Sequence, residues 1–185
     1  MGKNKGFTNI EVLIGILICI IIFSYVSIKI KNLNEILELK KDITYSVNCY
    51  YKYTEISINN SKKYKINNNL KEGIITITEG ENKIPLEIIK LNSKLRRTVI
   101  YNNRKLEKID SYTTINGNLS NSFSIYFFNR KNKAAYRIAF YPYTRSKILR
   151  INVYRNKDAE AYWENILEYH KENEGRFDGW IKEKY

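Results

Sequence analysis

The chain has 185 residues, a formal net charge of +13, two cysteines and one histidine. The histidine, His170, has no cysteine or carboxylate at metal-ligand spacing, and no Ser/His/Asp or Cys/His catalytic set can be assembled around it. There is also no glycine-rich phosphate loop. The sequence therefore predicts a protein that is not an enzyme and that holds no metal and no cofactor.

The charge is unevenly distributed along the chain. Residues 1–157 carry a net charge of +17, whereas residues 158–185 carry −4. A basic body of this kind could bind polyanions such as DNA, teichoic acids or anionic lipid headgroups. It could equally accept the acidic tail of a neighbouring copy.

The N-terminus carries the most specific pattern. A short basic leader ends at Gly6, the segment Phe7 to Glu11 follows, and Val12 to Ile28 contains no charged residue. An apolar run of this length is sufficient to cross a bilayer, which requires roughly 20 residues. A carboxylate near the start of such a run, here Glu11, is expensive to insert and therefore indicates a function.

This arrangement resembles the class III signal of type IV prepilins and of the pseudopilins of secretion and DNA-uptake machines. The resemblance implies that a prepilin peptidase cuts between Gly6 and Phe7 and that the new N-terminal Phe7 is methylated. It also implies a role for Glu11 in filament assembly, where it would neutralise the N-terminal amine of a neighbouring subunit. We therefore expect a cytoplasmic-membrane protein that crosses once, with most of the chain outside, and that joins a surface filament after assembly.

Two other interpretations of this segment remain open. In one, Glu11 only lies at the headgroup level, where a charge costs little. In the other, the segment is an ordinary secretory signal, which has an apolar region of about 7–15 residues and then a small-x-small cleavage site. The apolar run is longer here, and Ser24 and Ser27 do not have the required spacing.

The helix is predicted to continue beyond the membrane as one rod from about Phe7 to Ser57. No proline or glycine interrupts the sequence from Ile16 to Ser57. Apolar residues recur at steps of three and four, as on one face of an amphipathic helix; they are Leu33, Ile36, Leu37, Ile43, Val47 and Tyr50. The rod lacks the midway proline of many major pilins. Because Cys19 and Cys49 are too far apart to pair in one chain, the disulfide loop of such pilins is also missing. Both absences favour a minor pilin or a pseudopilin. Cys49 is expected to pack as a small apolar side chain, and an intermolecular disulfide is the alternative.

The polar runs Asn59–Ser61 and Asn67–Asn69 are predicted to be loops. From Gly73 the hydrophobic period changes to two. The expected strands are Ile74–Thr78, Ile84–Leu91, Leu95–Tyr101, Leu106–Ile115, Ser122–Asn129, the segment around Tyr136–Phe140, and that around Leu149–Val153. A last helix is expected from Asp158 to about Lys171, followed by a tail that docks through Phe177 and Trp180.

The predicted fold class is therefore α+β and type IV pilin-like, with a long N-terminal helix packed on an antiparallel sheet and a short C-terminal helix. The expected divisions are a leader (1–6), a transmembrane helix (7–28), an amphipathic continuation (29–58), a sheet domain (59–157) and an acidic helix with its tail (158–185).

Basic and aromatic residues interleave along the sheet region, a combination used for binding single-stranded DNA. The candidate polyanion contacts are Arg130, Lys131, Lys133, Arg137, Arg145, Lys147 and Arg150; Arg96, Arg97, Arg104 and Lys105 share the region with Tyr126, Phe128, Tyr136, Tyr141, Tyr143 and Tyr154. A solvated sheet face in a lysine-rich chain explains the same pattern without a ligand.

The sequence favours a structural subunit of a type IV pilus-like filament, whether pilus, type II secretion or DNA-uptake machinery. Its expected partners are other pilin or pseudopilin subunits, a prepilin peptidase, the membrane and, if the basic face is functional, DNA. The alternatives are a filament-borne module for DNA or another polyanion and a stand-alone single-pass membrane protein.

Overall fold

The computed structural model describes residues 9–92, 94–142, 149–172 and 178–185. The chain forms two compact units, of which the first ends at Glu38 and the second spans Leu39–Tyr185. Helix α1, Asn9–Asn60, contributes its first part to one unit and its last part to the other. The predicted long N-terminal helix is confirmed, and it ends where Ser61 adopts a φ of 53°.

The part of α1 within the second unit is amphipathic. Leu39, Ile43, Val47 and Tyr50 recur at steps of four, four and three, and all are buried. The predicted apolar face is therefore confirmed for Ile43, Val47 and Tyr50. It is wrong for three earlier members of the pattern, which lie in the first unit and are exposed: Leu33, Ile36 and Leu37.

The described part of the second unit contains ten strands in two antiparallel sheets. The strands are β1 Tyr64–Asn69, β2 Ile74–Glu79, β3 Pro85–Lys90, β4 Arg97–Tyr101, β5 Arg104–Leu106, β6 Lys108–Tyr112, β7 Phe123–Phe128, β8 Ala134–Tyr141, β9 Arg150–Asn156 and β10 Trp180–Glu183. The smaller sheet has the order β3-β2-β1-β6, and the larger has the order β10-β9-β8-β7-β4-β5.

Most predicted strands lie within two residues of the observed ones, but two predictions are wrong. The loop expected at Asn67–Asn69 is instead the end of β1, whose apolar positions Tyr64 and Ile66 are buried between polar neighbours. The single strand expected over Leu106–Ile115 is replaced by β5 and β6, which pair in different sheets. The predicted docking of the tail is confirmed for Trp180, which is buried and begins an additional strand, β10, at the edge of the larger sheet. Phe177 lies outside the described residues.

The main core lies between α1 and the two sheets. Its members include Ile43 and Tyr50 of the helix, Ile77 of the smaller sheet, and Ile125 and Ile138 of the larger sheet. The Tyr50 ring lies 4.4 Å from the Phe140 ring, between centroids. The helix thus supplies the cover that two one-sided apolar sheets require.

The opposite face of the larger sheet is covered by the C-terminal segment, which forms a second core with Tyr126, Phe128, Ile166 and Trp180. The short C-terminal helix, α2, spans Ile166–Glu172 and begins later than predicted. The segment before it bonds to the β7–β8 hairpin instead: Ala134 N donates to Ala161 O at 2.8 Å, and Trp163 N donates to Asn132 O at 2.9 Å. Because these backbone groups are engaged by the sheet, the segment does not form the predicted first turns of helix.

Candidate functional site

The first unit is an apolar helix whose side chains are exposed on every face. Ile10 is 66% exposed, Leu13 64% and Phe23 72%. A helix that is apolar all round is stable only in the interior of a protein or in a membrane. The length and the composition of this helix are sufficient for it to cross a membrane. The described segment is therefore consistent with a single-pass anchor.

Glu11 lies in the first turn of the described part of this helix. The predicted processing site, Gly6 and Phe7, lies outside the described residues. Cleavage and methylation there, and a role for Glu11 in assembly, therefore remain predictions.

The candidate polyanion contacts do not form one patch in the part of the chain that the structure describes. Arg130 and Lys131 lie at the turn between β7 and β8, and Lys133 follows them with its ammonium 5.8 Å from the Tyr162 ring centroid. Arg150 begins β9 at the opposite end of the sheet. β8, which joins the two ends, has eight residues, or about 23 Å at the usual rise. Two further candidates, Arg145 and Lys147, lie outside the described residues.

Arg137 is separated from the other candidate contacts because it is buried in the face of the sheet that carries the second core. Its side chain and backbone are together 8% exposed. Its guanidinium carbon lies 5.7 Å from the Tyr126 ring centroid and 5.9 Å from that of Tyr154. These rings come from the two neighbouring strands, since both tyrosines pair with Arg137 in register.

Three other basic residues of the interleaved region have structural contacts. Arg97 is 3% exposed and forms an ion pair with Asp42, so its inclusion in a surface patch was wrong. Lys105 places its ammonium 3.6 Å from the Trp163 ring centroid and donates a hydrogen bond to Trp163 O at 2.6 Å. Arg96 lies over the same ring at 5.4 Å. Cation–π contacts of this kind hold the C-terminal segment on the sheet.

His170 is half-buried on α2, where its Nδ1 lies 2.8 Å from the Tyr126 hydroxyl oxygen. Burial and the nearby Arg137 charge lower the pKa of His170 to about 4. At neutral pH the ring is therefore uncharged and packs edge-on against Tyr126. No group of three or more metal-ligating side chains occurs within the described ranges.

Cys49 packs into the main core, as predicted, and is 3% exposed. Burial raises the pKa of the Cys49 thiol to about 12, so the thiol stays protonated and unreactive at neutral pH. Cys19 lies in the apolar helix of the other unit and is exposed.

Together, a long apolar N-terminal helix, antiparallel sheets and a short C-terminal helix form a pilin-like α+β fold, as the sequence predicts. No family model and no curated protein sequence matches the chain. Among solved structures, the chain is similar to the minor pseudopilin EpsH from the type 2 secretion system of Vibrio cholerae, with 11% identity and a TM-score of 0.39. The match covers 58% of this chain and 94% of EpsH. At this identity and TM-score, the likeness does not bear on function.

Proposed function

We propose that this protein is a structural subunit of a type IV pilus-like filament, as a minor pilin or pseudopilin. The observation that carries the proposal is the N-terminal helix, which exposes apolar side chains all round and carries the acidic residue Glu11 near the start of its described part. Such a helix is suited to a bilayer before assembly and to the interior of a filament after it. The Leu39–Tyr185 unit is the folded body carried by that helix.

The proposed mechanism begins with cleavage after Gly6. A glycine before the scissile bond has no side chain, so a peptidase can approach the backbone closely. Cleavage converts Phe7 into a positively charged N-terminus, which the same enzyme class would methylate. Removal of the leader also removes two of the positive charges that hold the chain's start on the cytoplasmic side, Lys3 and Lys5.

Glu11 then acts as the register device for assembly. In an apolar filament core, the Glu11 carboxylate of one subunit and the Phe7 amine of another attract strongly, and each alone is costly to bury. Only one axial offset between neighbouring helices brings the two charges together. Packing of the apolar helices supplies adhesion, and the charge pair selects the offset.

The charge pair is tested with Glu11→Gln, which keeps size and polarity but removes the charge. We expect the variant to insert in the membrane normally and to be lost from filaments sheared from the cells. Glu55→Gln is the matched control, because Glu55 lies exposed on the same helix within the folded body. Normal filament content of the Glu11 variant would remove Glu11 from the mechanism.

Processing is tested separately with Gly6→Val, and Gly2→Val serves as the control within the same leader. We expect the Gly6 variant to keep all six leader residues when the intact protein is weighed by mass spectrometry, and the Gly2 variant to lose them. A wild-type protein that still begins with Met1 would overturn the filament-subunit proposal and leave the stand-alone membrane protein in its place.

A further inference from the structure

A cleft of about 440 Å³ opens on the face of the larger sheet that carries the second core. Its polar lining comes from Arg137 of β8, from Ser124 of β7, from Asn102 and Asn103 between β4 and β5, and from His170 of α2. Its volume lies within the range of sites that hold small organic molecules. None of the proposed filament chemistry uses this cleft.

The strand register explains why the space exists. Ser124 pairs with Ala139, and Arg137 and Tyr141 are the next residues of β8 on the same face. Two small side chains therefore lie between two large ones, and the sheet leaves a depression there. Its open side is bordered by the two-residue turn of Asn102 and Asn103, with φ angles of 48° and 56°, which holds two side-chain amides near the rim.

Arg137 is the charged group among the described residues that line the cleft. Its Nε donates a hydrogen bond to Ser124 Oγ at 3.3 Å, and the Tyr126 and Tyr154 rings flank the guanidinium. Within the described ranges, no acidic side chain forms an ion pair with Arg137. A buried guanidinium without a counter-charge is costly, and an anion that reaches its remaining N–H groups would offset that cost.

The surroundings favour an anion with a single charge. His170 is neutral at physiological pH, because burial and Arg137 hold its pKa near 4, and it therefore adds no second positive charge. The cleft is also bordered by the apolar residues Ile100, Phe123 and Phe140. A planar guanidinium fork matches a planar carboxylate through two parallel hydrogen bonds. Among the described residues that line the cleft, a phosphate dianion would find one cation, Arg137.

From this geometry we propose that the cleft binds a carboxylate attached to a small apolar or aromatic group, with Arg137 as the anchor. The carboxylate belongs either to a free small molecule or to the C-terminus of a peptide chain. The Asn102 and Asn103 amides bind the polar remainder at the rim. This site is independent of filament assembly, so either proposal can fail while the other holds.

The test uses the full chain in detergent micelles and observes para-fluorobenzoate by fluorine NMR. The matched neutral probe is para-fluorobenzamide, which has nearly the same shape and reports non-specific partitioning. The second source is probed with a short peptide ending in fluorophenylalanine, compared as free acid and as amide. We expect the acids to bind and the amides to bind at least about tenfold more weakly, because the charge-assisted bidentate contact is lost.

Three variants assign the site. Arg137→Gln should weaken binding of the acid at least about tenfold. Arg150→Gln removes the same charge from an exposed position on the neighbouring strand and should leave binding unchanged. Asn103→Gly keeps the positive φ of the turn, because glycine adopts it readily, and should weaken binding a few-fold by removing one amide.

Binding of either acid with this variant pattern supports the proposal, and the pair of probes identifies the source of the carboxylate. The proposal is overturned if neither acid binds, if acid and amide bind equally, or if Arg137→Gln and Arg150→Gln behave alike. If Arg137→Gln fails to fold by circular dichroism, the acid–amide comparison and Asn103→Gly decide the result without it.

Discussion

The Arg97 guanidinium donates a hydrogen bond from Nη2 to Oδ2 of Asp42 at 2.7 Å, and both side chains are almost fully buried. Asp42 lies on α1 and Arg97 begins β4, so the pair connects the helix to the larger sheet. Both carboxylate oxygens of Asp42 also accept from the backbone N of Asn92, at 3.0 and 3.1 Å, and Arg97 donates to the carbonyl of Asn92. The helix, the β3–β4 connection and the sheet therefore meet at one buried charge pair.

We predict that Asp42→Ala lowers the free energy of unfolding by about 3–5 kcal/mol, because it leaves the Arg97 charge buried without its partner. Lys52→Ala, which breaks the solvent-exposed pair with Glu87, should cost less than about 1 kcal/mol. Urea unfolding of the full chain, followed by circular dichroism, measures both. The double change Asp42→Leu with Arg97→Met should recover most of the loss, since no charge is then buried. Equal effects of Asp42→Ala and Lys52→Ala would contradict the assignment of the buried pair.

A second prediction concerns two adjacent tyrosines of α1. The Asn68 amide donates to the Tyr50 hydroxyl oxygen at 2.6 Å within the core, whereas Tyr51 is exposed. Tyr50→Phe should lower the free energy of unfolding by about 1–3 kcal/mol, because the buried amide of Asn68 loses its acceptor. Tyr51→Phe should change it by less than about 0.5 kcal/mol. Thermal melts of the two variants make the comparison, and a Tyr50 variant as stable as the Tyr51 variant would refute the role of the hydroxyl.

The third prediction is a pH dependence caused by His170. Burial and the Arg137 charge place its pKa near 4 in the folded chain, below the value of about 6.5 for an unperturbed histidine. Between these two pH values the unfolded chain binds the proton and the folded chain does not, so the free energy of unfolding falls as the pH drops from about 6.5 toward about 4. His170→Asn keeps an acceptor for the Tyr126 hydroxyl and removes the titration. Stability measured at pH 7 and at pH 5 should therefore decline less in the variant; an equal decline would show that His170 does not titrate as stated.

The fourth prediction compares two glycines that both have positive φ. A Cβ on Gly179 would lie 2.5 Å from the backbone N of Ala159, whereas a Cβ on Gly80 would meet no atom within 4 Å. Gly80→Ala carries only the strain of its φ, about 1 kcal/mol. Gly179→Ala carries the same strain and also displaces the backbone of Ala159, so it should be the more destabilising change. Urea midpoints of the two variants test this order, and a Gly179 variant no worse than the Gly80 variant would show that the close approach is absent.

Much of the fold follows from local pattern. The apolar face of α1 through Ile43, Val47 and Tyr50 is read from a helical period, and the β7–β8–β9 meander is read from alternation. The strand β1 was missed because its asparagine-rich sequence resembles a loop. Its neighbours β2 and β6 nonetheless pair with it on both sides, and Ile66 is buried in the core. Tertiary pairing has overridden local propensity in this strand.

The burial and the neighbours of Arg137 could not be predicted from the sequence. The sequence identified Arg137 as a basic residue among aromatic ones, but not as a buried residue flanked by Tyr126 and Tyr154. That placement depends on the register of three strands, because a one-residue slip of β8 would move the Arg137 side chain to the opposite face of the sheet. The position of Asn102 and Asn103 near β7 and α2 depends on the pairing of β4 with β7, which local sequence pattern does not indicate.

The order in which the chain passes between the two sheets affects how the domain unfolds. The chain builds β1 to β3 in the smaller sheet, β4 and β5 in the larger, returns for β6, and then completes the larger sheet. Neither sheet is therefore encoded by one continuous stretch, and no single cut in the gene would release either as a self-sufficient fragment. Because α1 shares one core with both sheets, we expect the two sheets to unfold in one cooperative transition with heat or urea.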